Sequence, residues 1–124
     1  MTPLERARGA IGARFRLHGR NVQHGLDCVG LAGLAYGVAV PRGYALRGGS
    51  LAQVIAAAEA AGLVQVDDAR VGDLLLLNAG AGQLHLAIAS ETGVIHADAA
   101  LRRVVERPGV PPWPELVRWR RGED

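Results

Sequence analysis

Cys28 is the only cysteine of the chain and lies in the segment GLDCVGL, residues 25–31. A lone thiol cannot close a disulfide within the chain, and structural zinc sites use several thiolates. The side chain is therefore either a packed, unreactive thiol or a nucleophile. The apolar residues 28–36 predict a helix, and a cysteine at a helix N-terminus faces unpaired N–H groups that lower the pKa of its thiol.

Two of the four histidines, His85 and His96, lie on neighbouring predicted strands joined by a turn at residues 91–93. Such a hairpin brings the two imidazoles close together on the sheet. A thiol that attacks an amide needs a base to take its proton and an acid to protonate the leaving amine, and one histidine can do both. A second histidine can orient the first. Alternatively, each is a half-buried strand residue bonded to a backbone carbonyl.

The elements that position these residues are helices first and strands second. Helices are predicted at residues 3–15, 28–36 and 51–61, with loops at 16–26 and 41–49. Strands are predicted at residues 63–66, 71–77, 84–90, 94–98, 101–106 and 115–121, with an irregular proline-rich segment at 108–114. This order predicts an α+β fold, in which helices pack on an antiparallel sheet of about five or six strands.

The composition is that of a single domain covering residues 1–124, with a hydrophobic fraction of 49% and a net charge of +2. All 14 basic residues are arginines spread along the chain, which argues against a nucleic-acid interface. No apolar run is long enough to span a bilayer, and no signal peptide is visible. We therefore expect a chain that is cytoplasmic as synthesised and that reaches any outside target by another route.

The segment around Cys28 resembles the nucleophile motif of the NlpC-type cell-wall peptidases, which are papain-like cysteine hydrolases with a compact α+β fold. Further segments resemble other motifs of this family in the same order, between about residues 4 and 121. They are ARFRLHG at 13–19, VGDLL at 71–75, HLAIA at 85–89 and VIHA at 94–97.

The resemblance implies a role for each matching residue. Cys28 would be the nucleophile, His85 the base and acid, and His96 the orienting residue. Asp27 matches an acidic residue that helps to shape the substrate site. Phe15 stands where many members have a tyrosine near the reacting carbon, and Val29 stands where many have serine. The oxyanion would then rely on the backbone N–H of Cys28, with His18 or His24 as a further donor.

The family's activity would be hydrolysis of an amide bond in peptidoglycan stem peptides, without a cofactor or a metal. The short form resembles members coded by phages and phage-derived tail clusters, so phage or prophage tail proteins are candidate partners and a phage-like particle is a candidate delivery route. Two alternatives stay open. One is a non-catalytic tail-assembly or scaffold protein, which Phe15 and Val29 favour, and the other is a thiol amidase or transferase acting on a non-wall amide.

Other polar and aromatic residues are given structural roles. Asp67, Asp68 and Asp73 are predicted to be solvated turn residues, and Arg118, Arg120 and Arg121 to form a solvated strand face. Trp113 and Trp119 are expected to anchor the last strand, with Trp113 as a candidate groove residue. A zinc site of Cys28, His85, His96 and Asp98 has suitable ligand types but no short paired-ligand motif.

Overall fold

The computed structural model describes residues 1–40 and 50–122. Within these residues the helices are α1 Pro3–Gly9, α2 Cys28–Tyr36 and α3 Leu51–Ala60. The strands are β1 Arg20–Asn21, β2 Gly25–Leu26, β3 Leu63–Gln65, β4 Leu74–Asn78, β5 Leu84–Ala89, β6 Gly93–Asp98, β7 Arg103–Pro108 and β8 Glu115–Arg121. The predicted loop at 41–49 lies outside the described residues, and none of the described helices has the length and apolarity to cross a membrane.

The first helix is shorter than the prediction for residues 3–15. It begins as expected, because Thr2 and Glu5 form a capping box and Pro3 occupies the first turn. It ends at Gly9, and the chain then turns through Gly12, whose φ is 93°. The N–H of Gly12 bonds to the carbonyl of Val104 in β7, so this segment pairs with the sheet instead of extending the helix.

Six strands form one antiparallel sheet in the order β3-β8-β4-β5-β6-β7, and β1 and β2 form a separate two-stranded sheet. This confirms the predicted α+β fold. Strand β4 begins at Leu74, three residues later than predicted, because Gly72 has a φ of 93° and residues 71–72 form a turn. The predicted strand 115–121 coincides with β8.

The two faces of the sheet have different neighbours. One face contributes Leu74, Leu76, Leu86, Ile88 and Ile95 to the main core, where they are packed with residues of α1 and α2. The other face carries a smaller apolar cluster formed by Leu75, Leu77, Ala87, Ala89 and Val94, against which Trp113 packs. Strand β4 is buried on both faces, as its continuous run of leucines predicts.

The interpretation of Asp73, Arg118 and Arg120 as solvated residues is wrong. The side chain of Asp73 is only 1% exposed and binds Arg118 at 2.9 Å and Arg120 at 2.8 Å. The turn that carries Asp73 lies beside β8, whose arginines point to the same side. Burial raises the pKa of Asp73, but hydrogen bonds from Arg120 and Arg118 outweigh it and hold the pKa below its usual range.

Candidate active site

Cys28 is the first residue of α2, as its sequence predicts. Asp27 caps this helix, because one carboxylate oxygen accepts the N–H of Gly30 at 2.8 Å. The backbone N–H groups of Cys28 and Val29 are directed at the thiol, where their hydrogen bonds lower its pKa. The helix N-terminus therefore presents two donors to the sulfur.

The predicted lowering of the Cys28 pKa is not what the structure shows. The residue is only 3% exposed, and burial raises the pKa of its thiol to about 12. The negative charge of Asp27 raises it further, whereas hydrogen bonds with the backbone of Leu86, Cys28 and Val29 lower it. Burial has a larger effect on the pKa than the helix dipole. The thiolate loses more hydration free energy in the core than the hydrogen bonds from these donors supply.

The hydrogen bond between the thiol and the backbone of Leu86 locates the cysteine on the sheet. Leu86 is the third residue of β5 and directly follows His85. Helix α2 therefore places Cys28 against β5 at Leu86, the residue that follows the candidate base in the chain. The contact between Cys28 and Leu86 joins residues that are far apart in the chain and arises only through tertiary packing.

His85 and His96 are hydrogen-bonded to each other, with 2.8 Å between Nε2 of His85 and Nδ1 of His96. Their rings meet edge to face, with centroids 5.0 Å apart. Burial, with a smaller contribution from His96, lowers the pKa of His85 to about 4. Burial also lowers the pKa of His96. Both rings are therefore neutral at pH 7, and Nδ1 of His85 is the ring nitrogen that His96 leaves available.

Trp113 packs against this histidine pair on the side away from the helices. Its ring centroid lies 5.5 Å from that of His85 and 5.9 Å from that of His96, both edge to face. The guanidinium of Arg107 lies 5.9 Å from the same indole ring. Trp113 comes from the proline-rich segment before β8, so this segment packs against the histidine pair.

The three predicted substrate-site residues lie around the start of α2. Asp27 is buried and accepts the backbone N–H of His18 with its second oxygen, at 2.8 Å. This bond fixes the loop before the cysteine, in which His18 is exposed and has a φ of 62°. Phe15 is half-buried against the main core and forms a bridge with Leu26. Their contact with a substrate stays a prediction.

Two further assignments concern histidine and metal. His24 is exposed, and both its backbone N–H and its ring are bonded to Asn21 at the tip of the β1–β2 hairpin. In residues 1–40 and 50–122, no three His, Cys, Asp or Glu side chains are arranged to hold a metal ion. The four residues weighed as zinc ligands therefore do not form such a group.

A capped helix with a buried cysteine packs on an antiparallel sheet that carries two hydrogen-bonded histidines, and together they form an α+β domain. The fold is similar to that of the NlpC/p60 domain of the peptidoglycan hydrolase SagA, with 30% sequence identity, 84% of each chain covered and a TM-score of 0.55. The chain belongs to the NlpC/p60 family.

A second solved structure shows the same fold at lower sequence identity. The peptidoglycan hydrolase RipB from Mycobacterium tuberculosis is 23% identical, with a TM-score of 0.60. The match covers 96% of this chain and 62% of that one. No family model matches the sequence, and no curated protein is similar to it at a significant level.

Proposed function

We propose that this chain is a cysteine peptidase that hydrolyses an amide bond in the stem peptides of peptidoglycan. The observation that carries the proposal is the histidine pair on β5 and β6, joined at 2.8 Å, beside the strand residue that is bonded to the Cys28 thiol. The substrate class comes from SagA, a peptidoglycan hydrolase that shares 30% of its sequence with this chain over 84% of its length.

In the first step of the proposed reaction, Cys28 attacks the carbonyl carbon of the scissile amide. Nδ1 of His85 accepts the thiol proton as the carbon–sulfur bond forms, because Nε2 of the same ring is bonded to His96. The oxyanion accepts a hydrogen bond from the backbone N–H of Cys28 at the helix N-terminus. The imidazolium of His85 then protonates the leaving amine, the carbon–nitrogen bond breaks, and a thioester remains on Cys28.

In the second step, water replaces the amine. Neutral His85 takes a proton from the water as its oxygen attacks the thioester carbonyl. Collapse of this intermediate breaks the carbon–sulfur bond, releases the carboxylic acid and returns the proton from His85 to the sulfur. His96 keeps the His85 ring oriented in both steps, so we assign it a positioning role.

Because both groups are neutral at rest, His85 serves as a general base and not as half of a standing ion pair. The buried thiol has a pKa raised to about 12 and the imidazole a pKa lowered to about 4. The thiol proton is therefore transferred to His85 while the sulfur attacks the carbonyl carbon. The negative charge that develops on the carbonyl oxygen is stabilised by the N–H groups at the helix N-terminus.

The same burial favours a second candidate function, a non-catalytic protein on this fold. A thiol that is 3% exposed and protonated at pH 7 is the expected state of a cysteine with only a packing role. The tail-assembly alternative, the phage or prophage tail partners and the cytoplasmic synthesis implied by the sequence stay predictions.

Digestion of purified peptidoglycan separates these functions. The native chain should release soluble fragments whose masses show new peptide termini, Cys28→Ala should release none, and His85→Ala should lose at least about 100-fold in rate. The exposed helix variant Gln53→Ala is the matched control and should keep the native rate. A folded native chain without turnover, or a Cys28→Ala variant with full turnover, would contradict the peptidase proposal.

A further inference from the structure

One buried nitrogen of the histidine pair lacks a hydrogen-bond partner. Nε2 of His96 is fully enclosed, and in the part of the chain that the structure describes no acceptor lies within hydrogen-bonding distance of it. An unpaired buried ring nitrogen is costly, so its environment should supply a group that satisfies it with little movement. The nearest charged atom is the Oδ2 of Asp98, at 3.8 Å.

Asp98 is held in a position to reach this nitrogen. It lies two residues after His96 on β6, so both side chains project from the same face of the sheet. Its other oxygen, Oδ1, accepts the backbone N–H groups of Ala100 and Leu101 at 2.9 and 3.0 Å. These two bonds hold the carboxylate at the end of the strand and leave Oδ2 facing His96.

We propose that Asp98 is a fourth, positioning residue of the site, which fixes the tautomers of both histidines through His96. The proposal deepens the peptidase function and its part in turnover rests on that function. The arrangement itself, a carboxylate that accepts Nε2–H of His96, does not depend on which amide is cleaved.

The tautomers follow from the order of hydrogen-bond donors and acceptors from Asp98 through His96 to His85. A carboxylate can only accept, so Asp98 selects the His96 tautomer with its proton on Nε2. Nδ1 of His96 is then an acceptor and can bond only to a protonated Nε2 of His85, at the observed 2.8 Å. The lone pair of His85 is left on Nδ1, the atom that must take the proton from Cys28.

The charge of Asp98 acts in the same direction as this geometry. It raises the pKa of His96 and also that of His85, against the larger lowering by burial. The other charged group that acts on His96 is Arg107 of the neighbouring strand β7, which lowers its pKa. When His85 becomes an imidazolium during turnover, the carboxylate two side chains away stabilises that charge.

The substitution Asp98→Asn tests the proposal while leaving the turn intact. The two turn N–H groups require an oxygen, so the amide oxygen of asparagine should stay with Ala100 and Leu101 and its NH₂ group should face His96. A donor at that position selects the opposite tautomers, with the proton of His85 on Nδ1. Asp98→Ala removes the turn acceptor but imposes neither tautomer.

We expect Asp98→Asn to lower kcat by about 10- to 1,000-fold with little change in KM, because the base is left in the wrong tautomer. Asp98→Ala should lose less than Asp98→Asn. Asp67→Asn, which removes an exposed aspartate charge, is the matched control and should keep the native kcat. The reverse order, with Asp98→Asn at the native rate and Asp98→Ala impaired, would reduce Asp98 to a turn residue and overturn the proposal.

Nitrogen-15 NMR of the histidine rings gives a readout that needs no substrate. In the native chain the proton should be on Nε2 of both His85 and His96, and in Asp98→Asn it should move to Nδ1 of both. Unchanged tautomers in a folded Asp98→Asn variant would refute the proposal. If the tautomers change as expected but the native chain digests no peptidoglycan, Asp98 fixes the tautomers as proposed and the peptidase function is contradicted.

Discussion

At Cys28, two physical effects oppose each other, and the structure decides between them. The helix N-terminus favours the thiolate, whereas a nearly complete removal from water favours the thiol. Because burial is the larger effect, the thiol is protonated in the resting protein. In the proposed reaction, the thiolate would therefore form only as Cys28 attacks the substrate carbonyl.

This balance predicts slow alkylation of the resting protein. At about pH 7, iodoacetamide should modify Cys28 at least about tenfold more slowly than a model peptide thiol, because the thiolate fraction falls as the pKa rises. The rate should still be rising above pH 9. The same chain in guanidinium chloride is the control and should react like the peptide. Rapid modification near pH 6 would instead reveal a standing thiolate–imidazolium pair.

At the scale of the elements, the loop before the cysteine is packed directly on the helix that begins with it. A Cβ on Gly30 would lie 2.0 Å from the carbonyl oxygen of Gly19. The loop is held there by the bond from the N–H of His18 to Asp27, the residue that caps α2. The small residue in the motif therefore serves the close contact between loop and helix, which positions the residues around the thiol.

Gly30→Ala should destabilise the chain by about 1–3 kcal/mol, because the clash is with backbone and not with a side chain that can rotate away. Gly9→Ala is the matched helical control. Its Cβ would meet no atom within 4 Å, and it should change the unfolding free energy by less than about 1 kcal/mol. Chemical denaturation of both variants measures the difference in unfolding free energy. Equal stabilities would show that the loop at Gly19 shifts and relieves the clash at little cost.

The segment between β7 and β8 contributes the indole that covers the histidine pair. Trp113→Ala should raise the pKa of His85 toward its ordinary value, because burial is the main cause of its lowering. Turnover should fall on the order of tenfold, since the two rings lose a packing partner that holds their orientation. Histidine titration followed by NMR reports the first effect directly.

Trp113→Phe provides the control for this experiment, since a phenyl ring still excludes water and makes edge-to-face contacts. Trp113→Phe should keep most of the lowering of the His85 pKa and most of the turnover. An unchanged His85 titration in Trp113→Ala would mean that other parts of the fold bury the ring, and the covering role of Trp113 would be wrong.

At the scale of the whole molecule, a buried ion cluster joins the start of β4 to the end of the chain. The carboxylate of Asp73 forms ion pairs with Arg118 and Arg120 of β8. The guanidinium of Arg121 donates a hydrogen bond to the backbone carbonyl of Tyr36 at the end of α2. The hydroxyl of Tyr36 in turn donates to the carbonyl of Gly72. The last strand therefore ties the sheet to the helix that carries the cysteine.

Asp73→Asn should lower the unfolding free energy at about pH 7 by roughly 3 kcal/mol, because it leaves two arginines beside a buried neutral group. The lowered pKa of Asp73 means that its contribution is present above the unfolded pKa, 3.8, and is lost as the pH falls through the folded value. The difference between native and variant should therefore shrink below about pH 4.

Denaturation curves at several pH values measure this dependence. Asp67→Asn removes a charge at an exposed position and should leave the unfolding free energy within about 0.5 kcal/mol of the native value at every pH. A constant difference for Asp73→Asn down to pH 2 would show that the effect of the substitution does not come from the ionised carboxylate.

The sequence alone determines much of this architecture, because the relevant signals act over a few residues. The acidic cap and apolar run place the start of α2 at Cys28, and alternating or continuous apolar residues predict β4 to β8 within a few residues. The tight turn before β6 was enough to predict that His85 and His96 are neighbours.

Only the tertiary structure decided what surrounds these groups. The bond between Asp73 and Arg118 joins residues 45 positions apart, and no local pattern distinguishes such an aspartate from a solvated one. The pKa of Cys28 depends on how deeply α2 is packed against β5, and Trp113 reaches the histidines from a segment without regular structure. Burial and pairing of charges are properties of the assembled fold, because they depend on solvent being removed by residues that are distant in the chain.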